Sequence, residues 1–461
     1  MLRSALLLLL LAGPALAHAQ DVRVRLFEGR SGPSALLSTH GAPLAVDVDG
    51  AFVGSGSSVR VEVSGRGVSV SVDGATASGQ RARVESEEEV RLQSGQYDRR
   101  YLGSFVIRRG SRGLQIVNHV PIEPYVASVV ASEYPFREIE GVKAQTILAR
   151  TYALRHQGDH EDYDVEDSQR SQVYKGESVV TEVTREAAEL TRGLVLRYAG
   201  TYAETVYSSS NGGHSAGNED VWNSTPVPYL RATPDPYDAE SPQHRWTTTA
   251  DASRVHRALS RYGAVTAIYP ERSASGHVRR VRLEPAGRSI SGSQFRSAIN
   301  SALGYRTLMS TNVAIRRSGD RYVFEGGGFG HGVGMSQYGA RGRAKAGYDF
   351  SDILAHYFPG TSLDLVGGGV DQPLVAVGDA PRRWPTPRRE AREAEPTSVP
   401  SASSEPAAAA PPRRRVVEPD PRPAWVVRDA LPNGDRVRSR PTPRREAHRA
   451  EPEPETRGGW R

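Results

Sequence analysis

Cysteine is absent from all 461 residues. That excludes a disulfide framework, a thiolate metal site, a cysteine nucleophile and a lipid anchor on an N-terminal cysteine. Lysine is nearly absent as well. Lys143, Lys175 and Lys345 are the only three, and arginine supplies the rest of the 59 basic residues. Against 53 acidic residues the net charge is +6, and no basic run interleaves with aromatics, so no nucleic-acid partner is expected. Long apolar runs are lacking too. Ala5–Ala12 is an unbroken run of eight, well short of the ~20 residues that a membrane span needs. The 38% hydrophobic content is modest but enough for a core in a chain of this length.

The two ends stand apart in composition. Residues 1–19 read as a secretory signal peptide. Arg3 precedes the apolar run, Gly13-Pro14 ends it, and small residues follow at cleavage-like spacing in Ala15-Leu16-Ala17 and Ala17-His18-Ala19. The expectation is an exported protein, periplasmic or extracellular, with no stable membrane anchor. Residues 371–461 hold 17 of the 31 prolines and 18 arginines. Such a stretch buries too little apolar surface to offset chain entropy, so a disordered Pro/Arg-rich tail is expected. It carries a near-repeat, Pro385–Pro396 against Pro441–Pro452, readable as a duplicated linker or as an arginine-rich tether for an anionic polymer.

The middle is α+β. Residues 20–120 alternate with period two, as in Val22-Arg23-Val24-Arg25-Leu26 and Val68-Ser69-Val70-Ser71-Val72, which predicts an antiparallel N-terminal β lobe. At Pro121 the period changes. Val126, Val129, Val130 and Glu133 fall at i, i+3, i+4 and i+7, on one face of a helix that Tyr134-Pro135 ends. A second helix follows at about Val142–Arg155. Residues 121–370 therefore read as a mixed α/β lobe, with strands expected near Leu194–Tyr198 and Tyr202–Tyr207, and a last helix near Ser336–Ala346.

Three segments bear chemistry. A glutamate sharing a face with three valines would be desolvated, which favours its protonated form and suits a proton donor; alternatively Glu133 is a structural acid paired with, for instance, Arg150. Residues 326–339 contain seven glycines around His331. This is neither a phosphate loop nor a nucleophile elbow, and reads as a cleft-lining loop or as a packed turn. The segment Tyr207–His214 offers hydroxyls, an amide and glycines, suited to a sugar or to an ordinary turn. His156 and His160 have helical spacing, yet no glutamate follows His156, and no metal or other cofactor is expected.

Taken together, these segments resemble the family of stage II sporulation protein D and the amidase enhancers, SpoIID/LytB. The resembling stretches include Ile122-Glu-Pro-Tyr-Val126, Val130-Ala-Ser-Glu133-Tyr-Pro135, Lys143-Ala-Gln145, Ala149-Arg-Thr-Tyr152, Ser171-Gln-Val-Tyr174, Ser208–Gly213, Asp220-Val-Trp222 and Gly330–Ala340. The resemblance implies a catalytic lobe over 121–370 and a peptidoglycan lytic transglycosylase that prefers glycan strands stripped of stem peptides, with Glu133 as its catalytic acid. It places Gln145, Arg150, Gln172, Tyr174, Ser208, Ser210 and His331 along a glycan cleft. Ser336 and Gln337 belong to the same glycine-rich loop, and Trp222 and Tyr338 offer stacking faces. The other branch of the family implies a non-catalytic, wall-bound enhancer of an N-acetylmuramoyl-L-alanine amidase, with that amidase as partner. Some members bind zinc through a C-x5-C pair; Val165 and Ser171 stand at those positions here, so no zinc is expected.

Overall fold

The computed structural model describes residues 21–27 and 30–366, and the backbone of Val375–Ala376. The expectations for 1–19, and for 371–461 apart from that two-residue strand, lie outside the described residues.

The period-two sequence folds into two facing sheets. One has seven strands, in the spatial order Val165–Glu166, Asp21–Leu26, Gly113–Pro121, Ser104–Gly110, Arg81–Glu85, Leu44–Val48, Ala51–Gly56. The other has six, in the order Tyr97–Tyr101, Val90–Ser94, Ser34–Ser38, Ser58–Ser64, Gly67–Val72, Ala75–Gly79. Every pairing is antiparallel except that of Asp21–Leu26 with Val165–Glu166, which brings a later loop back onto the sheet edge. Alternation sends Val22, Val24 and Leu26 inward beside Val68, Val70 and Val72, all buried in one core. Each such side chain contributes on the order of 1.5–3 kcal/mol of burial.

The chain leaves the strand Gly113–Pro121 directly into α1 (Ile122–Glu133). Pro121 occupies the cap position, where its missing N–H costs nothing. Tyr134, with extended backbone, ends the helix just before Pro135. The second helix, α2 (Ile139–Arg155), is buried on two sides. Val142, Ala149, Tyr152 and Ala153 pack into the first core, while Ala144, Ile147 and Leu148 pack into a second. α2 is thus the wall between the β lobe and the rest, which explains why it is buried nearly all round, its polar Gln145, Thr146, Arg150 and Thr151 included. A third helix, α3 (Glu182–Leu190), starts on a Thr181 capping box and packs against α1 and α2.

The second core is closed by the strands Leu194–Tyr198 and Ser362–Leu365, by the short helix α4 (Asn218–Trp222), and further along the chain by α7 (Gln337–Lys345) and α8 (Phe350–Tyr357). A third core fills residues 246–324. Two three-stranded antiparallel sheets there pack with α5 (Ala252–Ala258) and α6 (Gly292–Leu303), the latter opened by a Ser291–Gln294 capping box. The segment expected as one strand at Tyr202–Tyr207 is two short ones, Thr201–Tyr202 and Tyr207–Ser208. Between them Glu204 and Thr205 spend their hydrogen bonds on Tyr229 and on the Leu148 carbonyl, and the chain crosses from one sheet to the next. Among the described residues no helix is long and apolar enough to cross a membrane.

Candidate active site

Glu133 is the last residue of α1. The valines that share its face, Val126, Val129 and Val130, are fully buried in the first core, while Glu133 itself is half-buried at the rim of that core. The helix therefore presents the carboxyl group where its backbone hydrogen-bonding ends. Two donors hold it. The Val173 N–H donates to Oε1 at 2.8 Å, and the Tyr207 hydroxyl donates to Oε2. The Glu133 carbonyl accepts from Gln337 Nε2 at 3.0 Å, and the same amide nitrogen reaches Gln145 Oε1 at 3.3 Å. Four elements thus converge on one residue: the end of α1, the loop before Lys175, the strand Tyr207–Ser208 and the start of α7.

Two glycine-rich segments build the adjoining wall. Tyr207–Ser208 runs parallel to Met335–Ser336, and Ser210 bridges to Phe329. This close approach explains the glycines. At Gly330, with φ +124°, a side chain would sit 2.5 Å from the Ser208 Cβ; at Gly334, with φ +68°, it would sit 2.2 Å from the Val206 carbonyl oxygen. The wall is tied down by Asp238, which is fully buried. Its two oxygens accept from the Ser210 hydroxyl (2.7 Å), the Ser336 hydroxyl (2.6 Å), the Asn211 N–H (3.1 Å) and the Gly212 N–H (3.0 Å), with His244 Nδ1 at 3.1 Å. Asp235 performs a similar task nearby, contacting Asn211, Arg343 and Tyr357; burial raises the pKa of its carboxyl group.

The residues singled out from the sequence divide into groups. Gln145 and Gln337 meet at the Glu133 carbonyl. Gln172 precedes the Val173 amide on Oε1, and Ser208 follows the Tyr207 hydroxyl on Oε2. The Nε2 atoms of Gln145 and Gln172 and the hydroxyls of Ser208 and Ser132 are buried without a hydrogen-bond partner. Orphaned buried polar atoms are rare, and four of them gathered along the supports of one carboxyl group suit a polar ligand. Ser210 and Ser336 are committed to Asp238, and Ser336 also caps α7 through the Gly339 N–H. His331 is buried, accepts from the Val333 N–H at 3.1 Å and packs against Trp222 at 5.3 Å. Tyr338 is half-buried and lies edge-on to Phe136 at 4.9 Å.

Two residues go elsewhere. Arg150 is fully buried and forms a two-pronged pair with Glu123 at 2.5 and 3.2 Å, with Leu194 O at 3.0 Å. It neither faces Glu133 nor lines a cleft, because the low-dielectric interior demands an internal partner for each charge. Tyr174 is buried among Tyr101 and Tyr125, and its hydroxyl donates to Asn118 at 2.9 Å. Both serve the frame. Asp238 was not singled out by sequence reasoning, and Tyr207 only as the first residue of the hydroxyl-rich segment Tyr207–His214, with no link to Glu133. Asp238 lies in the 3-10 turn Pro236–Glu240, which carries no local signature of its task. The position equivalent to a zinc-binding cysteine, Val165, is a buried apolar residue paired with Val24, so the residues present do not fit that metal. His156 instead contacts Asp159 at 2.7 Å and His160 stacks on Tyr163 at 4.2 Å.

Beyond Val173 opens a cavity of about 910 Å³, lined by the loop around Asp167–Lys175, the hairpin at Gly110–Gln115 and the first strand. Glu133 thus adjoins this cleft through Val173, and does not lie on its wall.

Residues 110–198, which hold α1, α2 and the Gln172–Lys175 loop, match the stage II sporulation protein family, SpoIID. Over 274 residues the chain is 31% identical to stage II sporulation protein D of Bacillus subtilis, covering 76% of that protein. The chain belongs to the SpoIID family. The relative from Bacillus amyloliquefaciens is likewise 31% identical, with 75% of it covered. The amidase enhancer of Bacillus subtilis is 33% identical over 287 residues, which span 39% of its length and 51% of this chain. Residues 237–334, nearly coincident with the third core, match a separate domain family of unknown function. SpoIID kinship thus reaches both a sporulation protein and an amidase enhancer.

Proposed function

We propose that this SpoIID protein is an exported, cell-wall-associated lytic transglycosylase that cleaves the MurNAc–GlcNAc bonds of peptidoglycan glycan strands stripped of stem peptides. The observation that carries the reading is the mounting of Glu133. Both oxygens accept, Oε1 from a backbone N–H that can only donate and Oε2 from a hydroxyl that can turn to accept, so the acid form carries its proton more readily on Oε2. Tyr207 fixes the direction of that oxygen. Protonated Glu133 donates from Oε2 to the glycosidic oxygen as the bond from that oxygen to C1 breaks. The carboxylate so formed takes the proton of the MurNAc 6-hydroxyl, whose oxygen closes on C1. One bond breaks, one forms, and the net movement is a proton from O6 to O4, leaving a 1,6-anhydro end. No water is consumed, so the second carboxylate of ordinary glycosidases has no task here. Asp238, saturated by its own donors, is structural.

The match to the amidase enhancer motivates a second reading: a non-catalytic module that binds the wall and stimulates an N-acetylmuramoyl-L-alanine amidase. The two separate in one experiment. Stripped glycan strands are incubated with the protein and the products read by mass spectrometry. Anhydro-ended fragments that disappear with Glu133→Gln support the enzyme. Binding without fragments, together with faster hydrolysis by an added amidase, supports the enhancer.

A further inference from the structure

The large cavity beside Glu133 has an unusual wall. Arg25, Arg30, Arg99, Arg112, Arg170 and Lys175 line it, against Asp167 as the one carboxylate among the described residues. Part of this charge is used internally, since Arg25 pairs with Glu166 at 2.7 Å and Arg99 with Asp167 at 3.3 Å. Arg30, Arg112 and Lys175 make no ion pair among the described residues. The floor is aromatic. Phe27 and Tyr97 stack with ring centres 4.2 Å apart, and Arg99 lies over both. Like charge is therefore concentrated in a concave, partly apolar site, where field lines are focused and an anion is drawn in. Lys175 registers the strain: burial and then Arg99 lower its pKa, against the opposing pull of Glu133.

We infer that this cleft is an anion-reading subsite, in which Arg30, Arg112 and Lys175 bind the free lactyl carboxylates of the glycan strand while a neighbouring sugar reaches Glu133. The inference rests on the glycan reading given above. Three observations select this ligand class. The cleft adjoins the carboxyl group through Val173 and Lys175, so one chain can occupy both. At about 910 Å³ it lies at the upper end of the volume of small-molecule sites, with room for more than one sugar. Half-buried Tyr97, backed by buried Phe27, offers an aromatic surface beside the cations that suits a ring bearing a carboxylate. A strand whose lactyl groups carry stem peptides has those carboxylates converted to neutral amides, and would lose these contacts.

The test measures binding of the full chain, in the Glu133→Gln background, to three probes: stripped glycan strands, the same strands with their carboxylates amidated by methylamine, and strands retaining stem peptides. The expected result is tightest binding to the first, sensitive to salt. Arg30→Ala, Arg112→Ala and Lys175→Ala should each weaken it about tenfold, the size of a hydrogen bond to a charged group, and leave binding to the amidated strands unchanged. Arg30 and Arg112 are exposed, so their variants should fold. Equal affinity for native and amidated strands, or tighter binding to peptide-bearing strands, overturns the inference. Cleavage is assayed apart with unaltered Glu133. A chain that binds by carboxylate but never cleaves leaves the subsite standing and removes the enzyme; one that cleaves native and amidated strands alike does the reverse.

Discussion

Replacing Asp238 with asparagine should loosen the wall beside Glu133 without touching Glu133 itself. The wild-type carboxyl group serves five neighbours, three on Oδ2 (Ser210, Gly212, His244) and two on Oδ1 (Asn211, Ser336). An amide keeps only one acceptor oxygen. The two serine hydroxyls can rotate and accept from the new NH2, but backbone N–H groups cannot reverse. Whichever way the amide turns, either Asn211 is left facing a donor or Gly212 is, the latter keeping only its long bond to the Ser210 hydroxyl at 3.3 Å. One orphaned, buried N–H costs about 1–3 kcal/mol, and weakening the remaining bonds brings the total to roughly 2–4 kcal/mol. Urea unfolding reads the global loss. Hydrogen exchange reads the local one: the Asn211 and Gly212 amides, and the Ser210 and Phe329 amides that bond across the two glycine-rich segments, should exchange faster than in the wild type. A variant within about 0.5 kcal/mol of wild type, with unchanged exchange at those amides, would refute the assignment of Asp238 as the tie of this wall.

Other expectations follow from the same coordinates. Arg150→Met leaves Glu123 buried without its partner, so stability should fall by about 3–5 kcal/mol in denaturant titration while the folded fraction keeps its glycan affinity; a selective loss of affinity would put Arg150 back in the cleft. Tyr207→Phe removes the donor on Glu133 Oε2 and should lower turnover about ten- to a hundredfold, with glycan binding unchanged. His277, buried against Gly332, has its pKa lowered by desolvation to about 4. The unfolded chain therefore takes up a proton from about pH 6.5 downward that the folded chain takes up only near pH 4. About 3 kcal/mol of stability, present above pH 6.5, should be lost as the pH falls through this window. Urea unfolding of wild type and His277→Gln at several pH values checks it, a similar slope in both being the contrary result.

Much of this site is legible in the sequence because its supports are local. The i, i+3, i+4, i+7 spacing of Val126, Val129, Val130 and Glu133 places the acid on a buried helix face, and Tyr134-Pro135 tells where the helix stops. What spacing does not convey is how far that face dips into the core, and Glu133, at the last turn, is left at its rim. The glycines of 326–334 announce a close approach without naming the partner; the partner is Val206–Ser210, more than a hundred residues earlier. Arg150 shows the opposite failure. The sequence offers it as a partner for Glu133 or, by resemblance, as a cleft residue, yet its partner is Glu123, one face round α1. Tyr207 and Asp238 act through contacts of long sequence separation; the hydroxyl-rich segment that Tyr207 opens does not name Glu133 as its partner, and nothing around Asp238 announces its role.

The measurement that bears most directly on Glu133 is cleavage of stripped glycan strands in water enriched in oxygen-18, with wild type and Glu133→Gln side by side. Closure of the ring by the MurNAc 6-hydroxyl predicts wild-type fragments that carry no heavy oxygen, and no fragments from the variant. Heavy oxygen at the new ends, or undiminished fragments from Glu133→Gln, would contradict it.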